Sequence, residues 1–248
     1  MIQFENLTKS FRVRGHRHIV IDDLTMELPQ NRSMALLGRN GAGKSTLMQL
    51  ISGSLRPDHG RILTNGTVSW PVGFGGSFHR ELTGAQNIRF VARIYGVDTE
   101  ALVRFVEAFA ELGDHFNMPV KGYSSGMKSR LTFGASMGIQ FDTYLIDEVT
   151  AVGDAAFRAK SRAVFHTRLE NSSAIMVSHS NSQLRQFCDC GLVLEGGRAV
   201  FFDDLEDALD AHAQNMRQSG QAGSKRAGRV GRKTQPRKST PPSEEAVL

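Results

Sequence analysis

The first third of the chain alternates β-branched or aromatic residues with polar ones, a pattern that predicts short β-strands. The strands predicted in this way cover residues 2–6, 10–14 and 18–28, with a turn at residues 15–17. Further along, the dipeptide Asn65-Gly66 lies between residues 61–64 and 67–70, and it favours a type I′ turn. We therefore predict an antiparallel β region that ends in a hairpin.

Three short runs are apolar almost throughout, which is typical of strands buried on both faces of a sheet. They are residues 34–37, 143–146 and 174–177. The first run is followed by residues 44–52, where apolar side chains recur at helical spacing. Near the end of the body, Gly196-Gly197 separates residues 191–195 from residues 198–202 and predicts another hairpin.

Between residues 83 and 140 the hydrophobic pattern has the period of helices. The apolar positions on the two predicted faces are Ile88, Val91, Ala92 and Tyr95, and then Leu102, Val106 and Phe109. A last helix over about residues 205–216 follows Asp203-Asp204, which can cap its N-terminus. The pattern predicts an α/β body with a helical subdomain inserted at about residues 83–140.

The charge of the chain is concentrated at one end. The whole chain carries +5, but residues 217–248 hold eight Lys or Arg against two Glu, which leaves the rest at about −1. That segment is rich in Gly, Ser, Pro and Gln, so we predict a disordered basic tail after a folded domain of residues 1–216. The tail could touch anionic lipid or nucleic acid, although a solvated extension is the simpler reading.

Neither a membrane span nor a leader stands out in the sequence. No apolar stretch is long enough to cross a bilayer, and the first residues lack the basic and then apolar start of a signal peptide. We therefore expect a cytosolic protein.

Residues 38–45 fit the phosphate-binding pattern G-x-x-x-x-G-K-[ST], between an apolar strand and a helix as that pattern requires. The glycines let backbone N–H groups turn toward a phosphate, and the helix N-terminus adds partial positive charge. Lys44 would reach the β- and γ-phosphates of a nucleotide, and the Ser45 hydroxyl would bind Mg²⁺. The alternative is a glycine-rich turn that caps an ordinary helix. The candidate nucleotide-binding residues here are Gly38, Asn40, Gly41, Ala42, Gly43, Lys44, Ser45 and Thr46.

The strand predicted at residues 143–146 runs into two carboxylates. Asp147 can hold Mg²⁺, and Glu148 can orient and deprotonate an attacking water. In the alternative they only cap the strand. His179 follows the strand at residues 174–177, and ligands of parallel α/β sheets bind at that edge, although an isolated histidine is more often structural.

Further segments resemble a known family. Residues 123–131 resemble a variant of the ABC-transporter signature, residues 148–154 are similar to the stretch from Walker B into the D-loop, and His179 matches the switch histidine. The order of these elements resembles ABC ATPase domains over residues 1–210. The segments that resemble, more narrowly, the ATPase subunits of bacterial capsular polysaccharide exporters are residues 70–76, 82–84, 123–127 and 147–154.

The resemblance implies a P-loop NTPase of the ABC ATPase type, in which a mixed α/β sheet core carries an antiparallel β subdomain and the inserted helical subdomain. It also implies ATP and Mg²⁺, and a homodimer in which each nucleotide lies between the P-loop of one subunit and the signature of the other. Ser124 and Gly126 would then donate to the γ-phosphate, with Ser125 at the same helix N-terminus. Asp154 would belong to the D-loop.

Three positions depart from the commonest family pattern. Phe11 stands where many members have an adenine-stacking tyrosine, and its ring would still stack. In the alternative, Phe11 is simply buried. His79 replaces the Q-loop glutamine and would hydrogen-bond a water or contact the membrane partner. Val149 replaces the usual proline, as is typical of the capsule group.

The function implied by the resemblance is ATP hydrolysis that drives export of lipid-linked capsular polysaccharide across the inner membrane. The homodimer would lie at the cytoplasmic face, beneath a separate integral-membrane permease, with no nucleic-acid partner. Residues 76–84 also resemble the ATPases of O-antigen and teichoic acid exporters, so those substrates stay open. Other classes are a soluble ABC ATPase that acts on ribosomes or nucleic acid, and a regulatory nucleotide-binding switch.

Overall fold

The computed structural model describes residues 1–72, 78–147 and 154–230, with side chains up to residue 218. The strands are β1 (Ile2–Val13), β2 (His16–Leu28), β3 (Met34–Leu37), β4 (His59–Thr64), β5 (Thr143–Asp147), β6 (Ser173–Val177), β7 (Cys190–Glu195) and β8 (Arg198–Phe202). The α-helices are α1 (Lys44–Ile51), α2 (Gly84–Tyr95), α3 (Thr99–Ala110), α4 (Ser125–Gly138), α5 (Ala155–Leu169), α6 (Asn181–Phe187) and α7 (Leu205–Val230). Two short 3-10 helices, Gly113–Asn117 and Val120–Gly122, lie between α3 and α4.

The strands form two sheets. One is antiparallel, with the order β2-β1-β4, and the other has the order β5-β6-β3-β7-β8. Neighbours in the second sheet are parallel, apart from the antiparallel β7-β8 hairpin. The helices α2 to α4 follow one another between β4 and β5. The predicted fold class is therefore confirmed, because the structure has a mixed core sheet, an antiparallel β subdomain and an inserted helical subdomain.

The central strand β3 separates two apolar layers. Its side chains alternate, so that Met34 and Leu36 join one hydrophobic cluster while Ala35 and Leu37 join the other. The first cluster includes residues of β1, β2 and α1, and the second includes the buried faces of α2, α3 and α4. All four side chains of β3 are buried, which explains why this strand is apolar without interruption.

The helical subdomain has the predicted faces. Ile88, Val91 and Ala92 of α2 and the three predicted positions of α3 are buried, while Tyr95 stays 41% exposed. A capping box fixes the start of α2, because Thr83 Oγ1 accepts from Gln86 N and the Gln86 side chain accepts from Thr83 N. This helix start lies close to the predicted boundary of the subdomain at residue 83.

The hairpin predicted at Asn65-Gly66 is wrong. Gly66 does turn the chain, with φ 103°, but the segment after it runs parallel to β5 instead of returning along β4. Ser69 N donates to Thr143 O (2.9 Å), and Thr143 N donates to Thr67 O (3.0 Å). The carboxylate of Asp142 anchors this segment, since it accepts from Thr67 N (2.6 Å) and Thr67 Oγ1 (2.8 Å).

The first two predicted strands form one. Strand β1 continues across residues 7–9 through register shifts and a positive φ at Asn6 (48°). The turn lies at Arg14-Gly15 and overlaps the predicted turn, residues 15–17, only at Gly15. Irregular pairing of this kind is invisible to a search for strict alternation.

The chain divides into two units, Met1–His212 and Ala213–Leu248. Helix α7 begins as predicted, with Asp204 Oδ1 accepting from Glu206 N (2.7 Å), but it continues to Val230. The first part of the segment predicted to be disordered is thus helical, since no proline lies between Leu205 and Pro236 and Ala, Gln, Lys and Arg are good helix formers. No helix in the described part of the chain has the length and apolar character that a bilayer crossing needs.

Candidate functional site

The phosphate-binding sequence lies between the end of β3 and the start of α1. Gly38 (φ 155°) and Gly43 (φ 106°) are closely surrounded. A Cβ on Gly38 would lie 2.5 Å from the carbonyl oxygen of Leu194, and one on Gly43 would lie 2.4 Å from Val20 Cγ1. The motif glycines at these two positions are therefore required by packing as well as by backbone conformation.

Lys44 and Ser45 begin α1 and point to different partners. Lys44 Nζ donates to the carbonyl oxygens of Gly38 (2.6 Å) and Arg39 (3.0 Å), which holds the ammonium against the loop. Ser45 Oγ donates to Asp147 Oδ2 at 3.4 Å and so connects the loop to the end of β5. A hydroxyl and a carboxylate are the hard oxygen donors that suit Mg²⁺, particularly beside a nucleotide phosphate.

Most of the predicted nucleotide residues line one cavity of about 520 Å³. Its lining consists of Phe11, His18, Val20, Asn40, Gly41, Gly43, Lys44, Ser45, Thr46, Asp147, Val177 and His179. Gly38 and Ala42 belong to the loop without lining the cavity. Phe11 is 40% exposed, so the alternative of a simply buried Phe11 is wrong. The sequence analysis missed His18, Val20 and Val177, because nothing in the pattern of their strands indicates that they line a cavity together with the P-loop.

The signature residues lie at a second cavity. Ser124 is the N-cap of α4, where its Oγ accepts from Met127 N at 3.2 Å, and Ser125 begins the helix. This cavity, of about 390 Å³, is lined by Glu111, Leu112, His115, Ser124, Gly126, Met127 and Arg130. Neither Ser124 nor Gly126 lines the P-loop cavity of the same chain.

The family model for ABC transporters matches residues 21–151. This stretch includes the P-loop, the signature and Asp147. The chain belongs to the ABC transporter family. Curated relatives align with this chain along almost the whole of their own length. The polysialic acid transport ATP-binding protein KpsT of Escherichia coli is 50% identical over 86% of this chain and 96% of its own. The capsule polysaccharide export ATP-binding protein CtrD of Neisseria meningitidis serogroup B is 44% identical over 85% and 97%.

Solved ABC structures share the fold. The ATP-binding subunit of an ABC transporter superimposes with a TM-score of 0.73 at 20% identity, over 87% of this chain and 99% of that chain. A dimeric post-hydrolysis ATP-binding cassette bound to ADP and Pi gives a TM-score of 0.67 at 16% identity, over 81% and 98%. At these identities the likeness concerns the fold alone.

Asp154, which the resemblance assigns to the D-loop, makes two contacts in the structure. Its Oδ1 accepts from Phe157 N at 2.9 Å and caps α5, while its Oδ2 accepts from Arg130 Nη2 at 2.8 Å. The hydrogen bond from Phe157 N and the nearby Arg130 charge lower the pKa of Asp154. Because Arg130 lies on α4, this pair ties the signature helix to the start of α5.

Arg130 belongs to the signature-like segment, but the sequence analysis gave it no role, although its side chain contacts several elements. Its guanidinium lies over the Phe157 ring, 4.4 Å from the centroid, and 3.8 Å from Glu111 Oε2. Glu111 in turn pairs with Lys160 of α5. These ion pairs connect the end of α3 with α4 and α5 beside the signature cavity. They are therefore suited to fixing the position of the signature residues.

We predict that the two roles of Asp154 separate in two variants. Asp154→Ala removes the cap and the ion pair, and it should lower the melting temperature by about 2–4 °C. Asp154→Asn retains an oxygen for the cap, so its melting temperature should stay near that of the wild type while ATPase activity falls in both variants. Thermal unfolding and steady-state hydrolysis measure the two effects. Full ATPase activity in Asp154→Asn would show that the ion pair does not position the signature.

His79 lies outside the nucleotide cavity. Its backbone N donates to Asn87 Oδ1 (2.8 Å), and Asn87 Nδ2 donates to His79 O (3.1 Å), so the buried Asn87 fixes this residue to α2. The exposed His79 side chain is therefore placed beside the helical subdomain.

Other predicted residues are not in the described ranges. Glu148 and Val149, with the rest of residues 148–153, lie outside the described residues, as do residues 73–77 of the capsule-type segment. The role of Glu148 stays a prediction.

Proposed function

We propose that this ABC ATPase drives the export of capsular polysaccharide across the inner membrane. The observation that carries the proposal is the order of the relatives by sequence identity to this chain. Proteins named for polysialic acid or capsule transport are 42–50% identical to this chain. The O-antigen export protein RfbB of Klebsiella pneumoniae is 33% identical over 82% of this chain, and the teichoic acids export protein TagH of Staphylococcus haemolyticus is 31% identical over 87%.

The active form is a homodimer with two shared sites. The separation of the P-loop cavity from the signature cavity supports this arrangement, because two subunits packed head to tail would bring each P-loop to the partner's α4 N-terminus. Ser124, Ser125 and Gly126 would then contact the γ-phosphate, which carries negative charge that a helix N-terminus favours. The relative solved with ADP and Pi is itself dimeric.

Each site residue has a distinct task. The Phe11 ring stacks on adenine, the P-loop N–H groups and Lys44 bind the phosphates, and Ser45 and Asp147 would hold Mg²⁺. Mg²⁺, when bound, neutralises charge on the phosphates. Glu148 takes the proton of the attacking water, and His179 contacts the γ-phosphate from the end of β6.

An apolar groove on the helical subdomain supports a membrane partner. Phe90 and Ile94, one turn apart on α2, are 56% and 61% exposed. Together with Trp70, Phe78, Val91 and Tyr95 they line a groove of about 150 Å³. Exposed apolar patches of this kind mark protein interfaces, and this one lies on the same helix that Asn87 joins to His79. We assign the groove to the cytoplasmic side of the permease, and the proposed location of the ATPase is therefore the inner face of the membrane.

The substrate class is tested in cells. A strain carrying Lys44→Ala should still synthesise its capsular polysaccharide but retain it in the cytoplasm, because the variant cannot bind the β- and γ-phosphates. O-antigen on the lipopolysaccharide should be unchanged. Fractionation and immunological detection of both polymers measure the outcome.

Lys121→Ala is the matched control, because Lys121 is exposed, lines neither nucleotide-site cavity and pairs only at the surface with Glu81. Export should continue in that strain. Loss of O-antigen with capsule still at the surface would instead assign the protein to O-antigen export.

A further inference from the structure

Phe11 is directly opposite a histidine in the antiparallel sheet. The register of β1 and β2 pairs Phe11 with His18, and both side chains line the nucleotide cavity. Directly opposite residues of an antiparallel pair lie on the same face with their Cβ atoms about 5 Å apart. The imidazole of His18 is therefore a neighbour of the ring that we assign to adenine.

Strand β2 contains a β-bulge at the residue that approaches the P-loop. Ser10 pairs with Ile19 and Lys9 pairs with Ile21, so Val20 is the extra residue between them. Val20 and Ile21 are both buried, as expected where a bulge re-aims a side chain. The close approach of Val20 to Gly43 shows that it faces the P-loop. Along β2, His18 is therefore two residues before the residue that faces the P-loop and is itself the partner of Phe11.

The backbone around this pair is held in place. Arg17 Nε donates to Ser10 Oγ (3.0 Å), and Ser10 donates to Asp58 Oδ2 from both its N (2.8 Å) and its Oγ (2.7 Å). Lys9 Nζ lies 2.9 Å from Asp58 Oδ1. Hydrogen bonds from Lys9 and then Ser10 hold the pKa of Asp58 well below its usual range. The neighbours of Phe11 and His18 are thus fixed before a ligand binds.

A nucleotide in this cavity would run from its base at Phe11 to its triphosphate at the P-loop. The part next to the base, and so nearest to His18, would be the ribose. An imidazole can donate to a phosphate oxygen or to a ribose hydroxyl oxygen and can accept from that hydroxyl. We propose that His18 binds the ribose of ATP and so makes binding depend on the nucleoside as well as on the triphosphate. This rests on the ATP site proposed above.

The test compares ATP with inorganic tripolyphosphate, measured by isothermal titration with Mg²⁺. His18→Ala should weaken ATP binding about tenfold, the effect of one hydrogen bond, while tripolyphosphate binding stays within about twofold of the wild type. His18→Asn, which keeps a donor and an acceptor, should recover part of the ATP affinity. His16→Ala is the matched control, because His16 is exposed on the same strand and does not line the cavity.

Three results would overturn the proposal. The first is wild-type ATP affinity in His18→Ala, and the second is an equal loss for both ligands, which would place His18 on the triphosphate. The third is an equal effect of His16→Ala. Failure of the ATP site itself is recognised separately, because Lys44→Ala would then leave the binding of both ligands unchanged.

Discussion

Replacing Glu148 by Gln is expected to slow ATP turnover by about 10²- to 10⁴-fold, the usual contribution of a general base, and to leave ATP binding intact. The amide has the shape of the carboxylate but cannot accept a proton from the attacking water. Because hydrolysis is what separates the subunits in our account, the variant should also remain dimeric in the presence of ATP.

Steady-state hydrolysis and size-exclusion chromatography with ATP measure these two effects. Glu170→Gln, an exposed residue after α5, is the control for loss of a carboxylate and should behave as the wild type. If Glu148→Gln retained turnover within a few-fold of the wild type, the base would have to be reassigned. His179 is the next candidate, since it lines the nucleotide cavity.

Local sequence was sufficient wherever a structure depends on neighbours in the chain. The P-loop was predictable because its glycines, lysine and serine lie within eight consecutive residues, and because the apolar run before it is typical of a buried strand. The start of α2 was predictable for the same reason, as Thr83 and Gln86 form a capping box within a single turn.

Features that depend on distant residues were not predictable in this way. The Asn65-Gly66 dipeptide indicated a hairpin, but Asp142 binds the next residue, Thr67, and draws the segment to β5. The Arg130–Asp154 pair and the approach of Val20 to Gly43 likewise join residues that are far apart in the chain. Nothing in the local pattern of either partner indicates such a contact.

The substrate class came from a different kind of information. No physical property of the nucleotide cavity distinguishes one polysaccharide from another, since ATP binds in the same way in each case. That inference came from the segments that resemble capsule exporters, which are residues 70–76, 82–84, 123–127 and 147–154. The higher sequence identity of the capsule-transport relatives supports it.

If the nucleotide site is shared between subunits, the effect of two substitutions depends on whether they lie on the same subunit or on different subunits. Lys44→Ala removes the P-loop function of one site, and Ser124→Arg fills the signature side with a bulky cation. A heterodimer with one defect on each subunit combines both in a single shared site and leaves the other intact. Placing both on one subunit, opposite a wild-type partner, instead damages each site once. The two heterodimers contain the same substitutions and differ only in geometry.

The most direct test is therefore ATP-dependent capture of one tagged subunit by another, with Glu148→Gln in both subunits to prevent release. We expect the Lys44→Ala subunit to capture the Ser124→Arg subunit when ATP is present, at a level below that of the parent pair. The subunit that carries both Lys44→Ala and Ser124→Arg should capture a subunit that carries neither. The level should be no higher than that at which one Lys44→Ala subunit captures another. Equal capture in the two arrangements would contradict a nucleotide site shared between P-loop and signature.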